Sequence, residues 1–143
     1  MRKKSEAKIF LEQVERSEIT IRNKLIERQQ WKDLALNITA NMDGERVQSS
    51  GSKDKMASAV NRCLDAAGEI DGEVEKLVGV KKAVTQTIEK LYSPTEYDVL
   101  HKRYIQYLSL QEVADAYGKD YDWAKVNCQR GTNHVQAILN KNK

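Results

Sequence analysis

Lys125, Gln129 and Arg130 stand close together in the stretch "YDWAKVNCQRG", Tyr121 to Gly131. An ammonium and a guanidinium can each neutralise a phosphate or bond the O6/N7 edge of guanine, and a primary amide fits the N6/N7 edge of adenine. Tyr121 opens the same stretch. Lys102 and Arg103 form a second pair of cations upstream, suited to backbone phosphates. The plain alternative for all six is a solvated helix face. Asp120 and Asp122 flank Tyr121; a carboxylate there can cap a helix or accept from cytosine N4. Trp123 is better suited to packing than to stacking on a base.

Other chemistries find no constellation. There is no Gly-rich phosphate loop, and no Ser or Cys nucleophile stands with a base and an orienting partner. His101 and His134 have no metal-ligand spacing to Cys128. The reading is a non-enzyme without cofactor, metal or small-molecule substrate. The net charge is only +3, and residues 1–92 carry 17 Lys+Arg against 15 Asp+Glu. A nucleic-acid contact would therefore rest on local placement of charge, not on a broad positive field. Cys63 and Cys128 read as buried free thiols of a reducing cytosol. No apolar run approaches eighteen residues, and "MRKKSEAKIF" lacks the apolar segment of a signal peptide. The expectation is a cytoplasmic protein with no membrane partner.

Charged residues make up 31 %, and there is one proline, a composition of long helices. Phe10, Val14, Ile21, Leu25, Trp31, Leu34, Leu36 and Ile38 recur mostly at three- and four-residue steps, which predicts one amphipathic helix from about Lys4 to Met42. "NMDGERVQSSGSKDK", Asn41 to Lys55, reads as a mobile loop. Val60, Cys63, Ala67, Ile70, Val74, Leu77, Lys81, Val84 and Ile88 then alternate three- and four-residue steps, a heptad seam within Met56–Leu91. A helix of about 36 residues is roughly 54 Å long at 1.5 Å per residue and cannot bury such a stripe alone. It needs the first helix, a second subunit, or both. Lys81 in the stripe either lays its methylenes on the core or fixes register and oligomer state. Gly68, Gly72 and Gly79, off the stripe, suggest close backbone approach.

The final block is punctuated by caps. "SPTE", Ser93 to Glu96, predicts a capping box with proline at the first helical position, opening a helix to about Gln106. "SLQE", Ser109 to Glu112, predicts a second box and a short helix through Val113, Ala114 and Tyr117. Gly118 stands where a helix end takes a left-handed residue. Asp120 or Asp122 then caps a helix with Ala124, Cys128, Gly131, Val135 and Ile138 on one face. A short helix, a glycine turn and a longer helix have the spacing of a helix–turn–helix.

"SPTEYDVLHKRYIQYLSLQEVADAYGKDYDWAKVNCQRG" resembles region four of bacterial sigma factors, in which an "L-S/T-x-x-E-[IV]-A" segment precedes a glycine and a recognition helix. With the heptad-rich helices ahead of it, the chain is similar to phage and prophage proteins of the ArpU/RinA type. The resemblance covers nearly the whole chain and is sharpest over Ser93–Gly131. It implies a late transcriptional regulator in the host bacterial cytoplasm that binds double-stranded DNA; RNA polymerase is a further candidate partner. Asp120, Tyr121 and Asp122 depart from the Ser/Thr cap and polar residues such proteins carry.

The sequence thus predicts an all-α chain in two domains. Residues 1–92 form a long antiparallel, coiled-coil-like helical hairpin that oligomerises through the seam; 93–143 form a sigma-region-four-like helix–turn–helix domain. The competing reading, from a different class, is a non-catalytic interaction or assembly protein working through its coiled coil, such as a polymerase-binding protein or a packaging-type oligomer.

Overall fold

The computed structural model describes residues 4–44 and 50–143. The chain is all-α: five α-helices, with no strand among the described residues. Helix α1 spans Glu6–Gly44 and α2 spans Ser50–Ile88. Of the segment 41–55 expected as a loop, 41–44 and 50–55 are helical. Its centre, 45–49, lies outside the described residues. Helix α3, Pro94–Leu100, runs into a π-helical turn, His101–Ile105, where an unbroken α-helix was expected. Then follow α4, Leu110–Tyr117, and α5, Tyr121–Lys141.

The chain forms two compact units, and their limits differ from the expected boundary at Ser93. One holds Met1–Ser17 with Leu77–Lys143, the other Glu18–Lys76. The reason lies in the first unit's core. Ala7, Leu11 and Val14 of α1 and Val84 and Ile88 of α2 join Val99, Leu100, Tyr104, Val113, Ala114, Ala124, Cys128 and Val135 in one buried cluster. Three short helices offer too little apolar surface to close a core alone, and the two long ones complete it.

In the second unit α1 and α2 run antiparallel. Lys24 Nζ meets Glu69 Oε2 at 2.9 Å, Cys63 Sγ lies 4.0 Å from the Arg28 carbonyl, and the Arg62 guanidinium sits 5.9 Å above the Trp31 ring. The pairs step down one helix as they step up the other, as a hairpin requires.

The seam of α2 is only partly buried within the chain. Ile70, Val84 and Ile88 are buried as expected, whereas Leu77 and Cys63 are only half-buried, so Cys63 is not the buried thiol its place in the stripe suggested. Ala59 and Ala66 face inward, with Val80 half-buried. Val60 and Val74 are 41 % and 42 % exposed, Lys81 is exposed, and Ala67 is only half-buried. Two interleaved apolar rows share Cys63, Ile70, Leu77 and Val84. The row with alanines goes inside because small side chains let helices approach closely. Lys81 therefore lies outside the core and fixes no register within it. On α1, Ala7, Leu11, Val14 and Ser17 are buried, whereas Leu25, Leu34 and Leu36 are exposed. Gly68, Gly72 and Gly79 face open space, so no close backbone approach explains them.

Candidate functional site

Helices α4 and α5 owe their placement to local chemistry. Ser109 Oγ accepts from Glu112 N–H at 3.1 Å, and Glu112 Oε1 accepts from Ser109 N–H at 3.1 Å, a reciprocal box that starts α4. Gly118 ends it in the left-handed region, φ 63° and ψ 33°, with its N–H bonded back to Ala114 and Asp115. The space around Gly118 is open, so this glycine serves the backbone dihedral and not a tight crossing. Asp120 caps α5 by accepting from Trp123 N–H at 2.9 Å. That bond occupies the Asp120 carboxylate and leaves Asp122 as the free acid of the first turn.

The close crossing lies elsewhere. A Cβ at Gly131 would stand 3.0 Å from Leu100 Cδ1 and 3.1 Å from Cγ, so any larger residue requires the Leu100 side chain to shift. Behind it, the buried Tyr104 hydroxyl lies 4.0 Å from Cys128 Sγ. Burial pushes both the phenol and the thiol above their ordinary pKa values, so both stay protonated and unreactive.

The other cap contains a surprise. Ser93 Oγ accepts from Glu96 N–H at 3.3 Å, but the Glu96 side chain does not reach back to complete a box. It turns inward, is buried, and meets His134 Nδ1 of α5 at 2.5 Å. His134, isolated by sequence spacing, is thus one half of an α3–α5 tie. His101 pairs with Gln106 at 2.9 Å. The two histidines serve separate contacts, and no cluster of metal-ligating side chains occurs among the described residues.

All six candidate contact residues can be placed. Tyr121, Lys125, Gln129 and Arg130 are exposed on α5. Lys125 and Arg130, however, are about 140° apart around a helix of 3.6 residues per turn, so they flank the outer face and do not share one row. The row between them is Asp122, Val126, Gln129 and Asn133, all exposed and spaced four, three and four. Gln129 Nε2 donates to Asn133 Oδ1 at 3.0 Å, which fixes that amide pair. Val126 and Asn133 were not among the sequence candidates, although their spacing from Gln129 and absence from the core face would have found them. Lys102 pairs with Asp98 at 3.5 Å, and Asp98 also accepts from the Tyr117 hydroxyl. Arg103, the sixth, is half-buried; its Nη1 donates to the Leu108 carbonyl at 3.1 Å, holding the chain where Tyr107 takes a positive φ of 63°.

Trp123 is half-buried with its ring 4.8 Å from that of Tyr117, and Asn127 Nδ2 donates to the Trp123 carbonyl at 2.9 Å. The tryptophan packs within the helix pair, as its type suggested. Asn127, half-buried, satisfies its amide through this bond.

Among the described residues no helix is long and apolar enough to cross a membrane. Comparisons with protein-family models, curated proteins and solved structures return no match.

Proposed function

We propose that this chain is a DNA-binding transcriptional regulator without catalysis, with α5 as the helix that enters the major groove. One observation carries the reading. An eight-residue helix and a 21-residue helix are joined by Gly118–Asp120 with every cap in place, and the outer face of the second helix is left free. That row offers an amide pair for adenine, an apolar side chain for the thymine methyl and a carboxylate for cytosine, with a cation on either flank. The terms phage, prophage and late rest on the resemblance over Ser93–Gly131. The bacterial cytoplasm follows if the chain is phage-encoded, and RNA polymerase belongs to the competing assembly reading as its protein partner.

The test is a fluorescence titration with duplex DNA from the gene's own neighbourhood. Lys125→Glu with Arg130→Glu should abolish binding while the fold persists, since both side chains are exposed. Unchanged DNA binding by that double variant would refute the reading.

A second reading is favoured by a different observation. In the Glu18–Lys76 unit, Ile26, Leu36 and Leu64 are 54 %, 58 % and 65 % exposed, and Val60 and Val74 stand on the same outer row as Leu64. An exposed apolar face on a hairpin suits association with another chain, which would make the protein a homo-oligomer or an assembly factor. Leu64→Asp should then dissociate the assembly in sedimentation and leave the monomer folded.

A further inference from the structure

Beside α5, at the edge of its outer row and sharing Gln129 with it, lies a cleft of about 250 Å3. Ser5, Lys8, Arg103, Tyr104, Lys125 and Gln129 line it. The three cations come from three elements: α1, the π-helical turn and α5. One carboxylate, Glu12, also lines the cleft, and it is ion-paired with Lys4 at 2.8 Å. Neither Lys8 nor Lys125 forms an ion pair among the described residues. The Arg103 guanidinium spends one of its donors on the Leu108 carbonyl, which holds it in place and leaves other N–H groups for a ligand. Ser5 caps α1, its Oγ accepting from Lys8 N–H at 3.2 Å, so the positive end of a 39-residue helix adds to the same field. Burial raises the pKa of the Cys128 thiol that lines the cleft, and the hydrogen bond to Tyr104 and then the Arg103 and Lys8 charges act against it.

Like charges gathered round a small concavity repel one another, and an anion relieves that repulsion. Three cations with an amide and a hydroxyl suit a group that carries up to two negative charges and several acceptor oxygens. We infer that the cleft between the first turns of α1 and the middle of α5 binds a phosphate group. The inference goes beyond the major-groove reading and does not need it, because the phosphate can belong to a duplex backbone or to a free ion.

The experiment follows thermal unfolding of the full chain in low-millimolar inorganic phosphate and pyrophosphate, against sodium chloride of equal ionic strength. Wild type and the distant control Lys32→Gln should show the same saturable rise in midpoint. Lys8→Gln and Lys125→Gln should each raise the half-saturating concentration about tenfold, the loss of one charge-assisted hydrogen bond. A rise no larger than that in chloride, or cleft variants that respond like wild type, would overturn the inference. A duplex titration of the same variants separates the sources. Weaker DNA binding by Lys8→Gln assigns the phosphate to the backbone, and unchanged DNA binding with a lost phosphate response assigns it to a free ion.

Discussion

The two compact units differ in how much of their apolar surface they cover. In the unit of Met1–Ser17 and Leu77–Lys143, the side chains of Leu11, Val14, Val84, Ile88, Val99, Leu100, Val113 and Val135 are fully buried. In the unit of Glu18–Lys76, the buried apolar residues are Ala59, Ala66 and Ile70, while Ile19, Leu25, Ile26, Leu34, Leu36, Val60, Leu64 and Val74 remain exposed. Two helices have one mutual interface, and a pair with apolar residues all round can hide only one side of each. The first unit therefore closes a core of large side chains within one chain, although Ile9, Val78, Tyr92, Tyr121 and Val126 stay exposed on its surface. The second has a stable seam and an unpartnered surface.

The largest effect should separate these regions directly. Leu100→Ala should cost about 3–4 kcal/mol of stability, from lost burial and the cavity it leaves. Leu64→Ala should stay within about 0.5 kcal/mol in dilute solution, and any larger loss should depend on protein concentration. Equal, concentration-independent losses in chemical denaturation would erase the distinction.

Glycines give the next contrast. Gly131→Ala should destabilise by about 1–2 kcal/mol, because the new methyl meets the buried Leu100 side chain. Gly72→Ala should instead stabilise by up to about 1 kcal/mol, since its site on α2 is open and alanine is the better helix former. Both signs can be read from thermal midpoints.

Alkaline pH should act on the closed unit. Burial and the hydrogen bond to Asp98 push the Tyr117 phenol from 10.0 up to about 12. Its folded pKa exceeds the unfolded one, so this contribution is full below pH 10 and is lost as pH rises to about 12. Tyr117→Phe should flatten the stability profile across that window, with little change at pH 7 in the slope of stability against pH. The smallest effect is expected at Lys81. Lys81→Leu should leave the stability of the monomer within about 0.5 kcal/mol, because the side chain is exposed. A large gain would return Lys81 to the core.

What could be read from the sequence was mostly local. The box formed by Ser109 and Glu112, the left-handed Gly118 and the Asp120 cap each involve residues within about four positions, where short-range chemistry decides. The helical periods were equally plain. The choice between the two rows of α2 was not. Valine at 60 and 74 is more apolar than alanine at 59 and 66, yet the partner helix admits the smaller row. Glu96 looked like half of a capping box, and only the approach of α5 gives it His134 instead. Likewise, nothing near Lys125 in the sequence announces Lys8, which the fold of α1 brings to the same cleft. The π-helical turn at His101–Ile105 has no marker in its residues either.

The central claim is that the outer face of α5 meets DNA, and its most direct test is the salt dependence of duplex binding by the intact protein. Each phosphate neutralised contributes about 0.9 to the slope of log affinity against log salt. Arg130→Ala should flatten that slope by about one unit if Arg130 contacts phosphate, or weaken binding by about 1–3 kcal/mol at one site sequence only if it reads a base. Absence of salt-dependent binding by the wild-type protein at low salt would contradict the account and leave the exposed hairpin as the working surface of an assembly protein.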